Sequence, residues 1–217
     1  NKSPNYINQL TMDIDTIDVS SSLNNGATEA NIEFSTSGDG YYPHYLTFVT
    51  ELFLPDFDSN MSKTALDLNG GTVGLGDEIE YTISFDNSGK DGATNTILID
   101  PIPANTTYVP NSLEVLNASV GPTGTQTDAA DNDIAEFDSN NNQVIFRLGD
   151  GADQNSGGVF LENQGATIKF KVVINNDAPV GDIDNIATIT SNSFIFPNEV
   201  FTASDGATIT LGDITPP

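Results

Sequence analysis

Two aspartate-rich stretches are the first candidates for chemistry in this sequence of 217 residues. Asp128, Asp131 and Asp133 lie at short spacing in one polar stretch, and Asp150 and Asp153 lie in a second, glycine-containing stretch. Carboxylate oxygens at short spacing on loops suit Ca²⁺ far better than Zn²⁺. The pattern therefore predicts a calcium site in one or both loops, with a solvated acidic surface as the alternative.

A second candidate is an aromatic group around Pro43, formed by Tyr41, Tyr42 and Tyr45. Aromatic rings have large apolar faces and, in tyrosine, a polar tip, so a group of them can stack on sugar rings. The pattern is consistent with carbohydrate binding. The alternative is that these rings simply pack at the entry of a strand.

The residue types on which many enzymes rely are scarce. The sequence has no cysteine, and His44 is its only histidine. Disulfides, thiol catalysis, thiolate metal sites and multi-histidine metal sites are therefore excluded. A Ser-His-Asp triad would have only one possible base, and no nucleophile motif accompanies it. We predict that the protein is not an enzyme.

The charge balance excludes two classes of partner. The sequence has 31 acidic residues against 6 Lys and Arg, which gives a formal net charge of −25. Nucleic acids and anionic membranes are bound through Lys and Arg, so neither is an expected partner. No apolar run approaches the roughly 18 residues that span a bilayer, and membrane insertion is not expected.

Alternation of apolar and polar residues is the dominant pattern. It is clearest at Ile79, Tyr81, Ile83 and Phe85. It recurs at 144–148, 168–174, 183–189 and 207–211. A period of two between clusters of Gly, Asn, Asp and Pro is typical of strands joined by turns. The sequence therefore predicts an all-β, Greek-key (immunoglobulin-like) β-sandwich.

The first 57 residues read as a separate block. Alternating runs at 10–19, 30–34 and 46–54 predict an N-terminal three-stranded β extension. Three strands cannot easily bury both faces of a sheet, so this block is expected to pack on the larger domain or to donate a strand to a neighbour. The predicted organisation is a β segment at 1–57, a sandwich at 62–211 and a C-terminal linker at 212–217.

Several ordered motifs resemble a known family. They are Lys63-Thr64, Asp67-Leu68-Asn69-Gly70-Gly71, Gly76-Asp77-Glu78-Ile79-Glu80-Tyr81-Thr82-Ile83-Ser84-Phe85-Asp86-Asn87-Ser88-Gly89, Ala93-Thr94-Asn95, Asp100-Pro101-Ile102-Pro103-Ala104-Asn105-Thr106-Thr107-Tyr108-Val109-Pro110 and Asn185-Ile186-Ala187-Thr188. Together they make residues 62–211 similar to the bacterial surface repeat family called domain of unknown function 11. The resemblance implies tandem β-sandwich modules of secreted or cell-wall proteins, with structural or adhesive roles and no general enzymatic activity.

The resemblance also implies a chemical role for Lys63. In related surface domains, a lysine on the first strand can form an amide with an asparagine on a late strand, and Asn185 occupies the matching position. Such a reaction needs an apolar site that keeps the amine neutral and a protonated carboxyl group that polarises the amide. Asp100 or Glu80 is the candidate acid. The alternative is that Lys63 is a surface or salt-bridged residue and Asn185 an ordinary turn or ladder residue.

These observations favour a non-enzymatic structural module of a secreted or cell-surface protein, such as an adhesin, stalk or fibre subunit. The expected partners are copies of the same chain or adjacent domains, and residues 6–19 have the pattern of a strand that could complete a neighbour's sheet. The alternatives are a module that binds carbohydrate or another surface ligand, and an accessory domain of a larger secreted enzyme.

Overall fold

The computed structural model describes residues 53–130 and 132–212, together with the short pieces 16–19, 22, 29–35, 37–38, 45–47 and 49. Contacts within the chain divide it into two units, residues 1–52 and residues 53–217. All strands among the described residues belong to the second unit.

The second unit is built from twelve strands and one short 3-10 turn, Asp58–Asn60. The strands are β1 (Ser62–Asp67), β2 (Glu78–Asp86), β3 (Ala93–Pro101), β4 (Thr106–Tyr108), β5 (Glu114–Ala118), β6 (Gly124–Thr125), β7 (Ala135–Asp138), β8 (Gln143–Arg147), β9 (Gly158–Phe160), β10 (Gly165–Ile174), β11 (Gly181–Ser193) and β12 (Val200–Leu211). The described residues contain no α-helix, and so no helix long and apolar enough to cross a membrane.

The strands form two six-stranded sheets. In the first sheet the order is β1-β2-β10-β5-β6, and β4 also pairs with β10. In the second the order is β12-β11-β3-β8-β7, and β9 also pairs with β3. Neighbours such as β2 and β10 are distant in sequence, because the chain crosses between the sheets as Greek-key connections do. The predicted all-β sandwich is confirmed.

The core lies between the two sheets and follows from the alternation seen in the sequence. Ile79, Tyr81, Ile83 and Phe85 of β2 are buried, while the residues between them are only partly buried or exposed. The inward residues of β10 and β11 show the same period of two. Because successive side chains of a strand point to opposite faces, each strand contributes one apolar row to the core.

The sandwich unit starts upstream of the predicted residue 62. Phe57 is buried and packs edge-on against Phe85 and Phe160, with ring centroids 5.4 and 6.3 Å apart. The chain at Leu54 passes so close to Gly89 that a Cβ there would lie 2.1 Å from the Leu54 carbonyl oxygen. The segment that leads into β1 is therefore part of this unit.

The predicted three-stranded extension is not seen in the described part of the first unit. Its second strand was expected at Ala30, Ile32 and Phe34, but residues 29–35 are described and form no strand, and the side chains of Ile32 and Phe34 are about half exposed. Alternation indicates which side chains would share a face of a strand, but it does not by itself establish that the segment forms one. Most of the other two predicted strands lies outside the described residues.

Asn87 connects the lead-in segment to the sandwich. Its Oδ1 accepts hydrogen bonds from the backbone N–H groups of Asp56 and Gly89, at 3.0 and 3.1 Å. Its Nδ2 donates to the carbonyl oxygens of Asp91 and Phe160, at 2.8 and 3.2 Å. All four hydrogen-bonding positions of this buried amide are thus used.

We expect Asn87→Ala to lower the free energy of unfolding by about 3 kcal/mol, because it leaves buried backbone groups without partners. Urea unfolding of the full chain measures this value. Asn117→Ala, at an exposed position, is the matched control and should change stability by less than about 0.5 kcal/mol. Equal effects of the two substitutions would contradict the role given to Asn87.

Candidate functional site

Lys63 lies on β1 but points into the sandwich. It pairs with Ile83 of β2, and its side chain is 0% exposed. The ammonium nitrogen Nζ is 4.9 Å from the ring centroid of Tyr81 and 5.8 Å from that of Phe170. Lysine is almost never fully buried without a partner. A lysine enclosed by aromatic rings therefore requires a specific explanation.

The partner of Lys63 is Asp100, near the end of β3. Asp100 lies two residues after the buried Leu98, so its side chain also faces inward and is 0% exposed. Lys63 Nζ contacts Asp100 Oδ2 directly. The contact joins β1 of the first sheet to β3 of the second across the core.

Asn185 of β11 faces the same region. β11 runs antiparallel to β3, with Thr188 opposite Ile99. Continuing this register by one residue places Ala187 beside Asp100, and Asn185 then follows two residues away on the same inward face. Such diagonal neighbours are about 7–8 Å apart across the two strands. Asn185 is buried.

Three polar atoms of this region have no hydrogen-bond partner among the described residues. They are Asp100 Oδ1, Asn185 Nδ2 and the Tyr81 hydroxyl. The side chain of Asn185 nonetheless lowers the pKa of Asp100 through a hydrogen-bonding interaction, which places its amide beside this carboxyl. Buried polar groups are nearly always hydrogen-bonded. A buried group that lacks a hydrogen bond needs an explanation, and a chemical role is one such explanation.

Burial favours the uncharged forms of both members of the pair. It lowers the pKa of Lys63, against the opposing effect of Asp100 and Asp205. It raises the pKa of Asp100, against the opposing effect of Lys63 and Asn185. Desolvation disfavours charge on each group and so shifts the pair in the direction of a neutral amine and a protonated carboxyl. A neutral amine next to a carboxamide and an acid can perform acyl transfer at the amide.

Two contributions to the site were not evident in the sequence. The backbone N–H of Lys63 donates to Asp205 Oδ2 on β12, at 2.7 Å, and so joins the edge strands of the two sheets. Tyr81 and Phe170 pack together, with centroids 5.5 Å apart, and form the aromatic wall. The alternation identified Tyr81 and Phe170 as core residues, but no pattern indicated their contact with Lys63.

Glu80, the alternative acid, lies elsewhere. It is adjacent to the inward Ile79 and Tyr81 and therefore points to the outer face of the first sheet. There its Oε2 is 3.4 Å from Lys169 Nζ, which is also 3.3 Å from Glu114. The structure does not bring Glu80 to the buried lysine.

Three of the described aspartates of the predicted calcium loops accept hydrogen bonds from nearby protein groups. Asp128 accepts from the Tyr108 hydroxyl and the Asn111 backbone, and Asp133 accepts from the backbone of Thr127 and Ala135. Asp153 caps its turn, and Asp150 is exposed. Asp131 lies outside the described residues, which contain no group of three or more potential metal ligands. The calcium site stays a prediction.

The aromatic group is only partly described. Tyr45 is 95% exposed, whereas Tyr41 and Tyr42 lie outside the described residues. Carbohydrate binding at this position therefore also stays a prediction.

Comparison with known proteins gives a likeness of fold. No protein-family model matches the sequence, and no curated protein sequence matches it either. The chain is similar to the T6 backbone pilin of serotype M6 Streptococcus pyogenes, with 20% identity, 68% of this chain and 35% of that chain covered, and a TM-score of 0.45. It is similar to the collagen-binding subdomain of Enterococcus faecalis surface protein ACE, with 12% identity, 75% and 99% covered, and a TM-score of 0.45.

A third similar structure is an enzyme. AvmM, which catalyses macrocyclization in alchivemycin A biosynthesis, has 13% identity, with 74% of this chain and 93% of that chain covered, and a TM-score of 0.40. This chain spans about a third of the length of the T6 pilin. The structures described as similar are thus a pilin, a collagen-binding subdomain of a surface protein and an enzyme, and membership of the surface repeat family stays a prediction.

The raised pKa of Asp100 predicts an unusual pH dependence in the variant Lys63→Met, which lacks the charge that opposes the shift. A carboxyl with a higher pKa in the folded state holds its proton more tightly when folded, so deprotonation favours unfolding. The pKa of an aspartate in the unfolded chain is about 4. As the pH rises from this value through the pKa of folded Asp100, the free energy of unfolding should fall by up to about 1.4 kcal/mol per pH unit.

The double variant Lys63→Met/Asp100→Asn is the control, because its amide does not titrate. Urea unfolding of both variants across this pH range isolates the contribution of Asp100 from that of other carboxyl groups. Parallel stability profiles for the single and double variants would show that Asp100 titrates normally.

Proposed function

We propose that this chain is a non-enzymatic structural module of a secreted or cell-surface protein, in which an intramolecular amide bond between Lys63 and Asn185 links the two sheets of the sandwich. The observation that carries this proposal is the buried contact of Lys63 with Asp100, beside an asparagine whose amide nitrogen has no hydrogen-bond partner among the described residues. A permanently charged pair in this position would be costly. A pair that reacts from its neutral form avoids that cost.

The reaction is a transamidation with balanced atoms. The neutral Lys63 Nζ attacks Cγ of Asn185, the Cγ–Nδ2 bond breaks, and ammonia leaves. Asp100, in its protonated form, donates a proton to the leaving nitrogen from one oxygen and accepts the proton lost by Nζ on the other. Asp100 therefore returns to its starting state. Each chain reacts once, so the process is not enzymatic turnover.

The position of the bond suits a mechanical role. β1 and β12 are the first and last strands of the sandwich, and each lies at the edge of a different sheet. An amide between β1 and β11 would hold β1 covalently to the second sheet, where β11 pairs with β12 along its whole length. A force that pulls on the two ends of the sandwich would then be resisted by a covalent bond. This is a means of reinforcement for a chain without cysteine.

Intact mass spectrometry tests the proposal. The wild-type chain should be lighter than its sequence by one ammonia molecule. Lys63→Arg, Asp100→Ala and Asn185→Ala should each have the mass of their unmodified sequence, because each removes the nucleophile, the acid or the acceptor. Lys171→Arg, at a half-exposed lysine that pairs with Glu78 at 2.8 Å, is the matched control and should still lose ammonia.

The bond should also raise stability. It would close a loop of about 120 residues, for which the chain-entropy model predicts a gain of about 5 kcal/mol. A wild-type chain with the unmodified mass, or an ammonia loss that persists in Asn185→Ala, would contradict the proposed bond.

Assembly by strand donation is a further part of this proposal. Among the described strands, β12 pairs with β11 alone and is joined to β1 through Asp205, so the rest of its outer edge could pair with an added strand. In the N-terminal pieces that are described, Ile17 is 77% exposed and thus available for contacts. A strand from residues 6–19 added to a neighbour's edge would give a head-to-tail contact that propagates as a fibre.

Deletion of residues 1–19 should convert such assemblies into monomers, because it removes the donated strand. Sedimentation and negative-stain microscopy of the full and shortened chains, at the same concentration, measure this. Identical assembly of both chains, or a full chain that stays monomeric at high concentration, would overturn strand donation but not the amide bond. Carbohydrate binding and a role as an accessory domain of a secreted enzyme remain alternatives, and no described contact favours them.

A further inference from the structure

The hydroxyl group of Tyr81 is a buried hydrogen-bond donor that has no role in the proposed transamidation between Lys63 and Asn185. Tyr81 is fully buried on β2, between Ala65 of β1 and Phe170 of β10. Its hydroxyl has no hydrogen-bond partner among the residues described. Burying a hydroxyl without a partner is unfavourable, and phenylalanine would fill the same space without that disadvantage. The hydroxyl therefore needs an explanation other than packing.

The surroundings of Tyr81 place it in the Lys63 site. Its ring centroid is 4.9 Å from Lys63 Nζ, the attacking atom of the proposed reaction. Burial raises the pKa of Tyr81, and the nearby carboxyl groups of Asp100, when ionised, and Asp184 add to this effect. Asp184 directly precedes Asn185. The ring of Tyr81 thus contacts the nucleophile Lys63. Tyr81 also interacts electrostatically with Asp100 and with Asp184, the neighbour of Asn185 on β11.

The chemistry of the site leaves one requirement unmet by Asp100. When Nζ adds to Cγ of Asn185, the carbonyl oxygen Oδ1 gains negative charge. Asp100 contacts Nζ through Oδ2 and is occupied with moving a proton between the two nitrogens. A separate neutral donor directed at the developing oxyanion would stabilise the transition state, and such donors can contribute 10²–10³ in rate.

We propose that the Tyr81 hydroxyl is this donor and hydrogen-bonds to Oδ1 of Asn185 as the tetrahedral intermediate forms. The inference rests on the proposed cross-linking reaction. The proton stays on Tyr81 throughout, so the hydroxyl changes only the charge stabilisation and not the balance of the reaction. The partnerless hydroxyl of the folded chain is then a group prepared for a species that exists only during bond formation.

The test compares the rate of ammonia loss in the full-length wild-type chain, Tyr81→Phe and Tyr108→Phe. Each chain is synthesised in a cell-free system, samples are quenched in acid, and the cross-linked fraction is followed by intact mass. Tyr81→Phe should react at least about tenfold more slowly than wild type. Tyr108→Phe also removes a buried hydroxyl, one that donates to Asp128 at 2.6 Å, and should react at the wild-type rate.

The outcomes separate the two proposals. A wild-type chain that never loses ammonia overturns the cross-link and the role of Tyr81 together. A wild-type chain that reacts, with Tyr81→Phe equally fast, overturns only the role of Tyr81.

A second measurement distinguishes chemistry from packing. In a background of Asn185→Ala, which cannot react, Tyr81→Phe should leave the urea unfolding midpoint unchanged or higher, because the partnerless hydroxyl is gone. A lower midpoint would show that the hydroxyl supports the fold and would overturn its assignment as an oxyanion donor.

Discussion

Lys63 and Asp100 are buried together between the two sheets, and the properties of the site follow from this burial. Two charged groups removed from water without compensating hydrogen bonds would destabilise the fold by several kcal/mol each. Asp100 Oδ1 has no such bond within the described residues. Burial lowers the pKa of Lys63 and raises that of Asp100, which favours the neutral form of each group. The aromatic rings of Tyr81 and Phe170 lie beside the amine and make its surroundings apolar. The fold therefore encloses the amine of a lysine in the apolar space between its two sheets.

The topology explains why three residues so distant in sequence meet. Lys63 is on the edge strand of the first sheet, whereas Asp100 and Asn185 are on adjacent strands of the second. All three occupy inward positions of their strands, so the two sheets must pack face to face before the groups can approach one another. Asp205 adds a hydrogen bond between the edges of the sheets at the backbone of Lys63 itself. The proposed bond could therefore form only once the two sheets have packed together.

The sequence predicted the architecture well, because a period of two in β2, β10 and β11 translates directly into buried rows. It did not decide between Asp100 and Glu80. Glu80 lies between the inward residues Ile79 and Tyr81, so the alternation places it on the outer face. Asp100 follows the three consecutive apolar residues Ile97-Leu98-Ile99, and such a run does not show which face of the strand is inward. Alternation also predicted a strand at 30–34, where the structure has none. Periodicity alone does not show whether a segment pairs with another strand. The missing hydrogen bond of Tyr81 depends on three-dimensional packing, and no sequence pattern reports it.

Peptide mapping would locate the proposed covalent bond between Lys63 Nζ and Asn185 Cγ. Proteolysis of the wild-type chain followed by fragment sequencing in the mass spectrometer should yield a branched peptide, with the segment around Lys63 joined to the segment around Asn185 and one ammonia molecule missing. Recovery of these two segments only as separate, linear peptides of unmodified mass would contradict the account.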